Sequence, residues 1–159
     1  MTERPFLKSP GVRFPPPLLF VGGLTAGWLL DRRVRPLALV AHGDLLATLG
    51  TLLVAVGLAL VAWGMVTFRV AGTAIIPMRG ASRLVAHGPY RFTRNPMYTG
   101  FTLVYLGVTA ALNSGWPLLA LPIVLALLVR LVIRREEAHL RDVFGEDYMA
   151  YRARVRRWL

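Results

Sequence analysis

Between Leu84 and Gly100 the chain reads LVAHGPYRFTRNPMYTG, and Glu136 and Glu137 stand side by side further on. Tyr90, Arg94, Asn95 and Tyr98 bring donors, acceptors and aromatic faces within nine residues. Pro89 and Pro96 restrict the backbone around them. Polar, turn-rich sequence between long apolar runs is where a membrane enzyme would hold a site. The residues alone leave a second reading open: an interfacial loop whose Arg bind lipid phosphate and whose Tyr sit in the aromatic belt.

Arg134-Arg135-Glu136-Glu137 follows an apolar run. Two carboxylates at a helix C-terminal end oppose the helix dipole; neighbouring Arg can offset this, or the helix can simply continue. Such carboxylates can accept from ribose hydroxyls or pair with a sulfonium; a solvated Arg/Glu face is the plainer alternative. His42, His87 and His139 lack metal-ligand spacing, so no metal is expected. The chain has no Cys, which excludes thiol catalysis and disulfides. It also has no GxSxG, Walker A or GxGxxG pattern, leaving hydrolase, NTPase and dinucleotide-fold readings without support.

Holding these groups requires elements, and composition says which kind. Hydrophobic residues make up 55% of the 159, with mean hydropathy +0.53, too apolar for an ordinary soluble domain of this size. Lys and Arg number 19 against 8 Asp and Glu, and 18 of the 19 cations are Arg. A basic excess suits nucleic acid or an anionic membrane surface. The apolar runs decide for the membrane, and no nucleic-acid partner is expected.

Four apolar runs appear. Pro15 to Leu30 opens on three prolines and ends at Asp31-Arg32-Arg33; at ~1.5 Å per residue it is short for a ~30 Å hydrocarbon core. Asp44 to Phe68 is the clearest crossing, with Asp44 as N-cap. Its Gly50, Gly57 and Gly64 recur every seven residues and suit close helix packing. Arg69 to Asn95 is basic and broken by Gly72, Pro77, Gly80, Gly88 and Pro89. Pro96 to Leu112 and Trp116 to Ile133 then form a short antiparallel hairpin around Asn113-Ser114-Gly115. In the tail, Leu140, Phe144, Tyr148, Tyr151, Val155 and Trp158 fall at steps of three and four. That spacing predicts an interfacial amphipathic helix, with an interruption at Gly145.

The expected fold is therefore all-α: a polytopic membrane helical bundle of about four crossings, with a short helical hairpin and a C-terminal interfacial amphipathic helix. Residues 1–159 form one integral-membrane domain. The N-terminal MTERPFLKSPGVRFPPP reads as a retained tail. Arg asymmetry puts both termini, the 69–95 loop and the Glu136-Glu137 pair in the cytoplasm.

The span from Arg69 to Trp158 resembles the isoprenylcysteine carboxyl methyltransferase and phospholipid methyltransferase superfamily, in its bacterial form. The resemblance is carried by LVAHGPYRFTRNPMYTG, the hairpin, and EEAHLRDVFGEDYMAYRARV. It divides the chain into a variable two-helix part, 1–68, and a methyltransferase-like core, 69–159. It implies S-adenosylmethionine as cofactor and a methyl transfer by direct displacement to a membrane-embedded, lipid-like acceptor, in a bacterial inner membrane. Leu84, Val85, His87, Tyr90, Asn95, Pro96, Met97, Tyr98 and Glu136 are implied cofactor contacts, with Arg94 and Glu137 as catalytic residues. In the eukaryotic prenylcysteine enzymes an Arg four residues before the first Glu contacts the substrate carboxylate. Val132 stands at that position here, with Arg130, Arg134 and Arg135 as the available replacements. Membrane reductases of related architecture, using NADPH, form the rival class, and a non-catalytic protein retaining the fold is a third.

Overall fold

A computed structural model of the chain describes residues 11–12, 14–40, 43–72 and 83–158. The N-terminal residues 1–10, His42, and Pro77, Arg79 and Gly80 of the basic loop lie outside the described residues. Everything regular within them is helical, apart from an isolated bridge between Ala38 and Ser114. The helices are α1 (Pro17–Arg33), α2 (Asp44–Val70), α3 (Pro96–Ala111), α4 (Gly115–Leu128) and α5 (Arg134–Arg154). A 3-10 turn covers Gly88–Arg91, and a π-helical turn, Val129–Ile133, joins α4 to α5. Among the described residues, two helical rods are long and apolar enough to cross a membrane, Asp44–Val70 and the continuous Gly115–Arg154.

Each boundary has a local cause. Pro17 opens α1, where its missing N–H costs nothing. The helix does not end at Leu30 but continues through Asp31, Arg32 and Arg33. Charge does not break a helix whose end is held. The Asp31 carboxylate accepts from Leu37 N–H (3.1 Å) and from the Ser114 hydroxyl, and Arg32 lies 4.9 Å from the Trp28 ring. In α2, Gly43 takes the N-cap position expected for Asp44, and Asp44 becomes the first helical residue. Its charge there complements the positive helix end.

The hairpin neighbours are not packing partners. α3 lies along α2 and α4 lies against α1, while α3 and α4 meet little beyond their turn. Glycine decides this. A Cβ at Gly50 would lie 2.5 Å from the Gly107 carbonyl oxygen, and one at Gly57 would lie 2.7 Å from that of Gly100. Gly100 and Gly107 thus answer the heptad-spaced stripe of α2 in antiparallel order. Helices that lack the hydrophobic effect as a driving force gain their packing from this close backbone approach. Likewise, Gly27 of α1 leaves room for Pro117 of α4, and the fully buried Tyr105 donates to the Pro117 carbonyl at 2.7 Å.

The end of the molecule that holds the α3–α4 turn is tied to the α1–α2 connection. Asn113, at φ +49°, accepts from the N–H groups of Leu39 and Val40 and donates to the Val40 carbonyl. Trp116 Nε1 donates to the Arg35 carbonyl at 2.8 Å. At the opposite end Val12, Phe20, Tyr98, Leu128, Val132 and Ile133 belong to one apolar core.

The fourth apolar run stops at Ile133, but the helix does not. The π turn carries the chain into α5 with its helical path unbroken. One extra residue in a turn rotates every later side chain by about 100°. Gly145 does interrupt α5, at φ +50° and ψ −120°, a backbone only glycine adopts without strain. Tyr148 and Tyr151, read as part of a membrane-facing stripe, are 2% and 4% exposed and pack inside the protein.

Candidate active site

The site is built where the 3-10 turn, the start of α3 and the first two turns of α5 converge. Gly88 starts the turn at φ +60°, and a Cβ there would meet the Thr67 hydroxyl at 2.7 Å. Pro89 follows, fully buried. Tyr90 is 5% exposed, its ring edge-on to Phe68 of α2 at 4.9 Å. From α5, the Tyr151 hydroxyl donates to the Tyr90 carbonyl at 2.7 Å. The Tyr90 hydroxyl itself has no hydrogen-bond partner. Burial, then the nearby Glu136 carboxylate and Tyr151, push its ionisation well above the usual tyrosine range, so it stays a proton donor.

Tyr98 reaches the same place from the first turn of α3. Its hydroxyl donates to Glu136 Oε1 at 2.7 Å. Met97, beside it, packs where a Cβ on Gly64 would otherwise stand. The third glycine of the α2 stripe therefore seats the Asn95-Pro96-Met97-Tyr98 turn.

Glu137 faces a different set of groups. Arg157 donates to it twice, Nε to Oε1 at 2.9 Å and Nη2 to Oε2 at 2.7 Å. Arg94 Nη1 donates to Oε1 at 2.9 Å and also to the Tyr148 hydroxyl at 3.0 Å. Two guanidiniums on one carboxylate, one of them a parallel fork, make a strong and directional clamp. The bond to Glu137 raises the Arg157 guanidinium further above its usual value. Arg94 Nε is buried without a partner.

The C-terminal segment straps this arrangement together. Arg94 N–H donates to the Arg156 carbonyl at 2.9 Å. The Thr93 hydroxyl and the Asn95 side-chain amide both donate to the Arg157 carbonyl, at 2.9 and 3.0 Å. Asn95 is therefore engaged by the strap through its amide nitrogen, and Pro96 is fully buried behind it. Val85 is buried, Leu84 half-buried and His87 exposed, all leading into the 3-10 turn. The backbone groups of Leu84 and Val85 make no hydrogen bond among the described residues.

The expected site residues thus divide in two. Tyr90, Tyr98 and Glu136 form one polar group, while Arg94 and Glu137 form an ion pair beside it. Sequence reasoning missed Thr93, Tyr148, Tyr151 and Arg157. Nothing marked Arg157 among the Arg of the tail, and the two Tyr carried only an amphipathic signal. Val132, at the position of the prenylcysteine enzymes' substrate Arg, is wholly buried in the apolar core. None of its three neighbouring Arg joins the Glu136 group: Arg135 donates to the Gly11 carbonyl at 2.6 Å, and Arg130 and Arg134 border an outer groove.

The donor set fits a cofactor bearing hydroxyl groups and a positive centre. It offers a half-buried carboxylate, an unpartnered phenolic hydroxyl, an unpartnered guanidinium N–H and a backbone edge at Leu84–Val85 that makes no hydrogen bond among the described residues. An all-helical membrane protein with such a buried polar group at one helix end defines the class. The chain belongs to the phospholipid methyltransferase family, whose pattern matches residues 45–147. A probable protein-S-isoprenylcysteine O-methyltransferase of Oryza sativa subsp. indica is 34% identical over 73 residues, which cover 46% of this chain and 38% of the rice protein. The protein-S-isoprenylcysteine O-methyltransferase of Schizosaccharomyces pombe is 36% identical over 72 residues, 45% of this chain and 30% of the yeast protein. An uncharacterised protein of Haemophilus influenzae is 35% identical over 63 residues, 40% of this chain and all of that protein. The chain therefore spans well under half the length of the rice and yeast relatives. No solved structure matches it.

Proposed function

We propose that this protein is an S-adenosylmethionine-dependent methyltransferase acting on a membrane-embedded, lipid-like acceptor. The observation that carries the reading is the Tyr98–Glu136 bond beside the unpartnered Tyr90 hydroxyl, within a chain of the phospholipid methyltransferase family. The relatives' names support methyl transfer, and the reductase alternative is not favoured.

When bound, the cofactor supplies an electrophilic methyl group on a sulfonium. The protein's task is then to align and to keep dry, because direct displacement needs little covalent help. Glu136 is the acceptor for ribose hydroxyls or the counter-charge for the positive centre, and Tyr98 holds it in position. Tyr90 and Arg94 Nε offer donors, and the Leu84–Val85 backbone with His87 forms the rim. Asn95, Pro96 and Met97 act as the rigid wall between α2 and the strap. Glu137 serves as the counter-ion that keeps Arg94 and Arg157 in place, a positioning role that takes three of its roughly four acceptor sites.

The same reading takes the chain as one integral-membrane domain with four crossings, the core at 69–159 and the first 68 residues variable. The site and both termini face the cytoplasm of a bacterial inner membrane, with the α5 surface at the interface. The cofactor enters from the cytoplasm and the acceptor sideways from the bilayer.

Calorimetry in detergent tests the cofactor assignment. S-adenosylhomocysteine is expected to bind the full chain, with binding lost in Glu136→Ala and Tyr98→Ala. Binding of NADPH instead would overturn the proposal in favour of a reductase, and binding of neither would leave a scaffold. Membrane extracts incubated with methyl-labelled cofactor, followed by mass spectrometry, would then identify the acceptor.

A further inference from the structure

A second concentration of chemistry lies away from Glu136. An open groove of about 400 Å³ runs along the α4–α5 rod, lined by Leu125, Ala126, Val129, Arg130, Arg134 and Trp158. Two positions along a helix turn it by about 200°, so Arg134 faces the flank opposite Glu136. Arg130 and Arg134 are exposed, and neither makes a hydrogen bond or ion pair among the described residues. The groove floor is the end of the apolar stretch; the rim carries two charges.

Its occupant must meet both demands. A soluble anion satisfies the rim and leaves the floor wet, and a neutral lipid covers the floor and leaves both guanidiniums unanswered. We infer that the groove binds an anionic phospholipid from the bilayer, its phosphate held between Arg130 and Arg134 and its chain lying over Leu125, Ala126 and Val129. Guanidiniums suit phosphate oxygens through paired N–H donors, and Leu125 and Ala126 of the floor belong to the apolar α4, whose Leu118, Leu119, Ile123 and Leu127 are exposed.

Trp158 links this lipid to the site. It forms a wall of the groove and follows Arg157, whose guanidinium holds Glu137 and whose carbonyl receives Thr93 and Asn95. A lipid packed against Trp158 binds the docked strap and not the released one, and so stabilises the docked form by linkage. This coupling rests on the proposed reading of the Glu136 site; the lipid site itself does not.

Native mass spectrometry of the full chain with phosphatidylglycerol or phosphatidylcholine tests the groove. Phosphatidylglycerol is expected to be retained about tenfold better, because the choline cation of phosphatidylcholine offsets its phosphate and is repelled by the same two guanidiniums, whereas phosphatidylglycerol is a net anion. Arg130→Gln/Arg134→Gln should abolish the preference without lowering the melting temperature, since both side chains are exposed, while Arg32→Gln/Arg33→Gln at the other end should keep it. Equal retention of the two lipids, retention by the first double variant, or displacement of the lipid by inorganic phosphate would each overturn the site. Appearance of a methylated phosphatidylglycerol on incubation with S-adenosylmethionine would make the groove the acceptor site and overturn a supporting role. In nanodiscs, S-adenosylhomocysteine should bind several-fold more tightly with phosphatidylglycerol than with phosphatidylcholine; equal affinity despite retained lipid would sink the coupling. Failure to bind S-adenosylhomocysteine in either lipid would strike the cofactor proposal and leave the lipid result standing.

Discussion

Glu137 receives three hydrogen bonds from two guanidiniums, whereas its neighbour Glu136 receives one from the Tyr98 phenol. Adjacent carboxylates on one helix point about 100° apart, so they can serve different sets of groups. Glu137→Ala leaves Arg94, 10% exposed, as an uncompensated buried cation. Its expected cost is about 3 kcal/mol, read as a lower melting temperature in detergent. Adding Arg94→Ala to it should cost less than the two single changes together, because they share one interaction; strict additivity would show the pair to be uncoupled. Tyr98→Phe removes the hydrogen bond to the Glu136 carboxyl, and S-adenosylhomocysteine affinity is expected to fall about tenfold. Unchanged affinity by calorimetry would take Tyr98 out of the cofactor site.

At the scale of elements, the α2–α3 pair is the frame. The backbones approach so closely that a Cβ on Gly57 would lie 2.7 Å from one carbonyl oxygen and 2.8 Å from the Val104 nitrogen. Backbone cannot yield as a side-chain tip can, so Gly57→Ala is expected to destabilise by about 1–3 kcal/mol. Gly22→Ala, with nothing within 4 Å, should be neutral or slightly stabilising. Equal melting temperatures for the two variants would refute the interlocked stripe. Gly145→Ala should cost about 1 kcal/mol or more through backbone strain, as its surroundings are open. Urea or thermal unfolding in detergent reads that loss directly.

For the whole molecule, the charges and the tie-points agree on two distinct ends. Arg35, Asn113 and Trp116 meet at one end, while Arg94, Glu137 and Arg157 meet at the other. A reporter fused after residue 114 is expected to be active only outside the cytoplasm. Cytoplasmic activity there would invert the proposed topology and move the site to the other face of the membrane.

Much of this was legible from the residues in order. Apolar runs announce membrane helices because bilayer length and backbone satisfaction leave few alternatives. Pro96 at a helix start, the glycine stripe of α2 and the break at Gly145 are local properties that any tertiary setting must respect. The pairing of LVAHGPYRFTRNPMYTG with Glu136-Glu137 likewise named two stretches that the fold brings into contact, through Tyr98–Glu136 and Arg94–Glu137. Other features belonged to no stretch of sequence. That α3 packs on α2 and not on its hairpin neighbour depends on Gly100 and Gly107 meeting a stripe in another helix. That Glu137 is held by two guanidiniums while Glu136 meets only the Tyr98 hydroxyl depends on Arg157, twenty residues beyond Glu137. Val132 became core for the same kind of reason, since Val12, Leu128 and Ile133 pack into one cluster with it. Periodicity reports which face a residue is on. Only the tertiary structure supplies the groups that face meets, because those groups come from distant positions whose meeting no local pattern encodes.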